Sequence, residues 1–276
     1  MEKNEKRDNP YRVLVFDLDG TLTNSQKKVS ERTREALTRA RLAGCEIVLA
    51  SGRPIDGVMP IARELSMDRL GGYVVALNGA VIIDCRTGKT VYEKAIPREL
   101  IPGICRYARE HGIPLLTYVP GAEISDHPEH PEVIREAQWN GLPLRHVEDF
   151  EKNIPDPVEN IMLIDNPEPL EKACRELNRL YGSQLTIYRS SPCFLEVLPL
   201  GVHKAGSLEV VLGWLGYEKR QMMAFGDAVN DREMLEMAGM GVCMANGDEA
   251  ARAAADYVTA SNDEDGVALA LERFVL

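Results

Sequence analysis

The chain reads as an α/β protein, a doubly wound parallel sheet interrupted by a smaller α+β domain. Three observations carry this reading. Residues 12–77 alternate short apolar runs with helical stretches, in the order strand, helix, strand, helix, strand, which is the rhythm of a parallel sheet covered on both faces. After Asn78-Gly79 that rhythm gives way to hairpin-like alternation and a mixed block. From Lys204 the helix–strand alternation returns and continues towards the C-terminus. The implied division is a core made of residues 1–83 and 196–276, with an insert at 84–195.

Arg12-Val13-Leu14-Val15-Phe16 is a short, mostly apolar run ending at acidic residues, as expected of a strand buried on both faces. A helix follows over 30–42, with Ser30 as N-cap and Gly44 as its stop. Residues 46–50 form a second buried strand, broken by Ser51-Gly52-Arg53-Pro54. Residues 55–65 are helical despite Gly57 and Pro60, and 73–77 form a third strand. In the insert, 81–97 reads as a hairpin turning at Arg86-Thr87-Gly88-Lys89. A helix is predicted at 98–111 and a strand at 115–119. The Pro- and His-rich residues 120–131 read as loop. A strand at 160–165, a helix at 168–181 and strands at 185–189 and 194–197 complete the insert. The returning core supplies a helix at 204–215, a strand at 222–225, a helix at 231–238, a strand at 241–244 and a helix at 249–255.

Composition narrows the function classes. With 276 residues, 45% hydrophobic and 27% charged, the chain has the makeup of a soluble globular protein of one large or two modest domains. A net charge of −11 argues against a nucleic-acid partner, which would require a basic face. It does not exclude a small phosphorylated substrate, because a local cation overrides the global field. Cys45, Cys85, Cys105, Cys174, Cys193 and Cys243 are scattered, with no C-x-x-C pair. They read as reduced core residues and point to the cytoplasm. Met1 to Pro10 is polar, without the apolar stretch of a signal peptide, and is expected to be disordered. No run of 18 apolar residues predicts a membrane span.

The chemistry-bearing residues fall at predicted strand ends, where open parallel sheets bind ligands. Asp17-Leu18-Asp19-Gly20-Thr21 places two carboxylates two residues apart after the first strand. One can act as a covalent nucleophile and the other as a proton shuttle, and Thr21 adds a hydroxyl. Ser51-Gly52 closes the second strand, where Ser51 could donate to a phosphate oxygen. Taken alone it is an ordinary strand-to-helix turn. Lys204 opens a helix against the helix dipole, which a nearby phosphate would explain. Taken alone it is an ordinary surface lysine. Gly226-Asp227-Ala228-Val229-Asn230-Asp231 puts two further carboxylates and a carboxamide at another strand end. Asp17 and Asp227 suit Mg²⁺, a hard cation that often takes one or two carboxylates.

In this order, Asp17-x-Asp19-Gly20-Thr21, Ser51-Gly52-Arg53, Lys204 and Gly226-Asp227-x-x-Asn230-Asp231 resemble the haloacid dehalogenase superfamily, and within it the Cof-type phosphatases. Leu77-Asn78-Gly79-Ala80, residues 234–239 and residues 261–267 add to the likeness, which covers nearly the whole chain from Tyr11. The resemblance implies a Rossmann-like core with a mobile cap, here of the C2B type, and Mg²⁺-dependent hydrolysis of a small phosphomonoester. It implies Asp17 as nucleophile and Asp19 as general acid/base. The metal ligands would be Asp17, Asp227 and the Asp19 main-chain carbonyl, supported by Asp231. The phosphoryl group would meet Thr21, Ser51, Gly52, Lys204 and Asn230. The chain departs from the family pattern at His203-Lys204-Ala205, commonly Ser-Lys-Gly, and at Ala245-Asn246-Gly247, commonly Gly-Asn-Ala.

Two alternatives remain open from sequence. One is a phosphomutase, which would return the phosphoryl group to a sugar. The other is a non-catalytic phosphate-sensing module, against which the presence of both Asp17 and Asp19 argues. In the insert, His127, His130 and Arg189 receive no assigned contact, His203 beside Lys204 is read as structural, and Trp139 is expected in the insert's core.

Overall fold

A computed structural model describes residues 9–276; most of the polar segment predicted to be disordered, residues 1–8, lies outside them. Fourteen strands are present among the described residues: β1 (Val13–Phe16), β2 (Glu46–Ala50), β3 (Tyr73–Ala76), β4 (Val81–Asp84), β5 (Lys89–Glu93), β6 (Leu115–Val119), β7 (Ala122–Ser125), β8 (Leu144–His146), β9 (Ile161–Ile164), β10 (Leu185–Ser191), β11 (Phe194–Pro199), β12 (Met222–Gly226), β13 (Met240–Cys243) and β14 (Tyr257–Val258). They form an eight-stranded sheet, ordered β14-β13-β12-β1-β2-β3-β4-β5, and a six-stranded sheet, ordered β10-β11-β9-β6-β7-β8.

The larger sheet is parallel from β14 to β3 and antiparallel at β4 and β5. Its central strands β1, β2, β3 and β12 are buried on both faces, their successive side chains alternating between the two, whereas the edge strand β5 is exposed. Leu14 and Phe16 join the core under helices Glu31–Leu42, Ile55–Glu64 and Gly266–Phe274. Val13 and Val15 join the opposite core with Leu208, Val211 and Leu235. Ser30 caps the first of these helices as predicted, accepting a hydrogen bond from the Thr33 N–H. The C-terminal helix Gly266–Phe274 was not anticipated.

Sheet membership moves both predicted boundaries. The β4–β5 hairpin was expected to open the insert at residue 84, but β4 pairs with β3 and β5 with β4, so the hairpin extends the core sheet to Glu93. β11, assigned to the core from residue 196, pairs with β9 and β10 up to Pro199 and belongs to the second sheet. Hairpin rhythm marks antiparallel pairing but not which sheet receives it.

One face of the second sheet is covered by helices Ile101–His111 and Pro167–Tyr181, with Ile104, Leu163, Leu170 and Val197 in their shared core. The other face turns towards the core domain. The predicted loop at 120–131 holds at residues 120–121 and 126–130 but is interrupted by β7 and ends in a helix start at Pro131. A two-residue turn, Pro120-Gly121 with Gly121 at φ +71, closes the hairpin between β6 and β7. Helix Pro131–Asn140 follows. No helix among the described residues is long and apolar enough to cross a membrane.

Candidate active site

β1 and β12 are neighbours in space but lie far apart in sequence. From β1 the chain adds β2 and β3 on one side, while β12, β13 and β14 fill the other, so strand order reverses between β1 and β12. Ligands of open α/β sheets bind at such a point, beyond the carboxyl ends of the strands. Asp17 directly follows β1, Asp227 directly follows β12, and Ser51 follows β2. Behind them Phe16 stacks on Phe225 with centroids 4.8 Å apart, which holds the two strand ends together.

Carboxylate oxygens of Asp17, Asp227 and Asp231 all lie within 4.8 Å of one another. Lys204 is the cation that binds this group. It is 1% exposed, and its Nζ donates to Asp17 Oδ1 at 2.6 Å and to Asp231 Oδ1 at 2.7 Å. Burial alone would lower the lysine pKa, but the two carboxylates outweigh it and hold it above its ordinary value. Its placement at the first turn of helix Lys204–Leu215 is therefore not a solvated accident. His203 caps that helix, its Nδ1 accepting from the Gly206 N–H at 3.3 Å, which fits the structural role expected of it.

The carboxylates differ in how well they could hold a metal. Burial pushes Asp17 well above the usual carboxylate range, against the opposing pull of Lys204. Burial likewise pushes Asp227 up to about 6. Two crowded anions that resist ionisation, offering oxygen atoms only, fit a hard divalent cation. Asp231, expected to support the metal or Lys204, lies in the carboxylate cluster and does bond Lys204. Oδ1 takes Lys204, and Oδ2 accepts from the N–H groups of Asp227 at 3.0 Å and Ala228 at 3.1 Å. It orients its neighbours. Thr21, expected to meet phosphate, donates its hydroxyl to Asp227 Oδ1 at 2.6 Å and is buried, so it orients that carboxylate.

Gly20 is required by close approach. It has φ +82, and a Cβ there would overlap Asp227 Oδ2. The Gly20 carbonyl accepts from Asn246 Nδ2 at 2.8 Å, so the departure from the family pattern at Ala245-Asn246-Gly247 still contributes a tie to the site.

Asp19 is held differently. Arg53 Nε and Nη2 reach its two oxygens at 2.6 Å each, and Lys27 Nζ donates to Oδ1 at 2.7 Å. Burial raises its pKa, but these donors prevail and hold it below the ordinary value. Sequence reasoning quoted Arg53 only as part of a turn and did not find Lys27. Nothing local signals either contact, since Arg53 reaches Asp19 across 34 residues of chain. Ser51 is buried, and its Oγ accepts from the Arg53 N–H at 3.1 Å. Asn230 donates to Asn78 Oδ1 at 3.1 Å.

Asp17, Asp19, Ser51, Gly52 and Asn230 open onto a cavity of about 440 Å³ between the two sheets. Its roof comes from the second sheet and from helix Pro131–Asn140. Trp139, expected in the insert's core, is 48% exposed and lines this cavity. The helix buries Val133, Glu136, Ala137 and Asn140, a single face at spacings of three and four, and Trp139 lies off it. Lys27 Nζ sits 3.1 Å from its ring centroid, joining the core loop to the roof. His127, His130 and Arg189 are not among the lining residues.

Residues 14–271 match the family described as haloacid dehalogenase-like hydrolase. The chain belongs to this family. A haloacid dehalogenase-like hydrolase from Bacteroides thetaiotaomicron is 41% identical and superposes with a TM-score of 0.89 over 95% of this chain and 99% of that one. The subclass IIB sugar phosphatase BT4131 is 27% identical with a TM-score of 0.81 over 95% and 98%. The 5-amino-6-(5-phospho-D-ribitylamino)uracil phosphatase YcsE of Bacillus subtilis (strain 168) is 30% identical over 99% of each chain. The protein is thus a haloacid dehalogenase-type phosphatase with a Rossmann-like core, and the second sheet is the cap of that architecture. For this hydrolase, Gly20→Ala is expected to leave a folded protein whose phosphatase kcat/KM falls at least about tenfold, since the new methyl must displace Asp227 and a non-glycine residue at positive φ costs about 1–2 kcal/mol. Circular dichroism beside a turnover assay checks both halves.

Proposed function

We propose that the enzyme hydrolyses small phosphomonoesters with Mg²⁺, through an aspartyl-phosphate on Asp17. The observation that carries this is the pairing of a buried Asp17, bonded to Lys204 and opening onto the cavity, with Asp19 two residues later on the same cavity wall. Held by the carboxylates of Asp17 and Asp227 and the main-chain carbonyl of Asp19, Mg²⁺ supplies positive charge that offsets repulsion between a phosphate and the nucleophile.

The Asp17 carboxylate attacks phosphorus, and the bond from phosphorus to the ester oxygen breaks. Lys204 stays on Asp17 and steadies charge on the phosphoryl oxygens together with the Ser51 hydroxyl. Asp19 gives its proton to the departing oxygen, releasing an alcohol. It then takes a proton from water, which attacks phosphorus and frees Asp17 and inorganic phosphate. To donate, Asp19 has to loosen its bonds to Lys27 and Arg53 and take up a proton from solvent, and the half-exposed Lys27 is the one an entering substrate displaces. The cap roof excludes bulk water while this proceeds.

The substrates named for BT4131 and YcsE, a sugar phosphate and a phosphoribityl compound, support a small phosphorylated polyol or cofactor precursor here. The six unpaired thiols support the cytoplasm as its location. Phosphate release from a panel of phosphomonoesters, in Mg²⁺ and in EDTA, tests the reading. Release in Mg²⁺ that EDTA abolishes is expected. No release from any ester by the folded protein in Mg²⁺ overturns it.

A further inference from the structure

The cap half of the cavity is built from acceptors. Along β11 the side chains alternate, so Leu195 and Val197 enter the cap core while Phe194 and Glu196 face the cavity. Tyr118 on β6 and Met162 on β9 share that face. Glu196 is buried, accepting from Ser190 Oγ at 2.8 Å and Asn160 Nδ2 at 2.5 Å. From the facing helix, buried Glu136 accepts from Tyr118 Oη at 3.1 Å and Asn140 Nδ2 at 2.8 Å. Both bonds fall on Oε1, leaving Oε2 open to an incoming donor. Asn140 lines the cavity, is 7% exposed, and its Oδ1 has no hydrogen-bond partner. The donors of Tyr118, Ser190, Asn140 and Asn160 are therefore already turned onto the carboxylates of this wall, which leaves Glu136 Oε2 open and Asn140 Oδ1 buried without a partner.

The charges agree. Burial raises Glu136 above its ordinary value, outweighing its two donors and the nearby Arg53 cation, and pushes Glu196, which faces no cation, up to about 7, so neither carboxylate is fully compensated. Arg135, the cation that the cap contributes to the lining, is a rim residue already ion-paired with Glu132 at 2.6 Å and lying over the Phe194 ring. A hydroxyl or amine brought against Glu136 and Glu196 supplies the missing partners. A second anion there adds like-charge repulsion in a site shielded from water.

We propose that Glu136, Glu196 and Asn140 select the leaving group, accepting one that carries hydroxyl or amine donors and rejecting one that carries a second anionic group. The inference rests on the phosphatase reading and gives that site its substrate class. Trp139 and Phe194 form the apolar sides against which the carbon skeleton of the leaving group lies.

Matched pairs test it. Glycerol 3-phosphate and 3-phosphoglycerate differ by a hydroxymethyl against a carboxylate, and glucitol 6-phosphate and 6-phosphogluconate differ in the same way. In the wild-type Mg²⁺ enzyme, the neutral member of each pair is expected to exceed the acid member in kcat/KM by about tenfold or more. Glu136→Gln and Glu196→Gln, made separately so that a folding failure in one leaves the other, are each expected to shrink that ratio severalfold. A wild-type ratio near one, or ratios that neither variant moves, overturns the proposal. p-Nitrophenyl phosphate, which carries neither kind of group, separates the two levels of failure. If it is hydrolysed while the pairs are not discriminated, only the specificity inference falls. If neither it nor any pair member releases phosphate, the phosphatase reading falls and the inference with it.

Discussion

Asp17→Asn is expected to lower kcat by about 10⁴-fold or more, the scale on which removal of a covalent nucleophile acts. The amide is nearly isosteric, so the fold and the β1–β12 contact behind it should persist. What changes is charge and nucleophilicity. A carboxamide at this position could not form an acyl-phosphate, and Lys204 would lose one of the two carboxylates that hold it. The measurement is steady-state phosphate release on the best ester of the panel, with thermal denaturation alongside. The variant should retain a cooperative transition and show no accumulation of acid-stable, protein-bound phosphate under conditions where wild type labels. Wild-type turnover by purified Asp17→Asn protein would falsify the covalent mechanism.

Lys204→Met is expected to be the most damaging change to stability around the site, and to reduce kcat/KM as well. Lys204 is buried between Asp17 and Asp231, and the carboxylates are themselves buried or nearly so. Removing one partner of a buried ionic network leaves uncompensated charge, which costs about 3–5 kcal/mol. Met retains the volume of the lysine stem, so the loss is electrostatic and not a cavity effect. Urea denaturation in EDTA should show the midpoint falling with the slope unchanged. The loss should be smaller in Mg²⁺, because a cation bound to Asp17 and Asp227 offsets part of the exposed repulsion. For catalysis, the proposed role of Lys204 as a donor to the phosphoryl oxygens predicts a fall of about 10²–10³-fold. An unchanged urea midpoint in EDTA would show that Lys204 does not compensate the two carboxylates.

The parallel strands were legible because a strand buried on both faces has to be apolar throughout. Val13–Phe16, Glu46–Ala50 and Met222–Gly226 were recognisable for that reason. β7 was not, because it carries Glu123 and Ser125 inward to a polar network, and polar residues between prolines look like loop. Helix Pro131–Asn140 escaped notice for a related cause. Its buried face includes Glu136 and Asn140, so hydrophobic periodicity is weak where the cap meets its ligand cavity. The hairpin of β4 and β5 was seen, but its sheet was not, since edge pairing is a long-range choice.

For the site, Asp17, Asp19, Ser51, Asp227 and Asn230 could be located because each belongs to a short run at a strand end, where local sequence and strand geometry suffice. Contacts made across the fold could not. Thr21 is turned to Asp227 across 206 residues, Lys204 to Asp17 across 187, and Lys27 meets Trp139 on the opposite domain. The amino-acid sequence by itself determined the doubly wound core, the order of the strand-end motifs and the class of chemistry, because those depend on residue type and on spacings of a few residues. Tertiary structure alone decided which hydroxyl orients a carboxylate, which lysine is buried as a counter-ion and which cap side chains share a cavity with Asp17. Those outcomes follow from packing one sheet over another, where burial strengthens every charge and no local pattern records the partner.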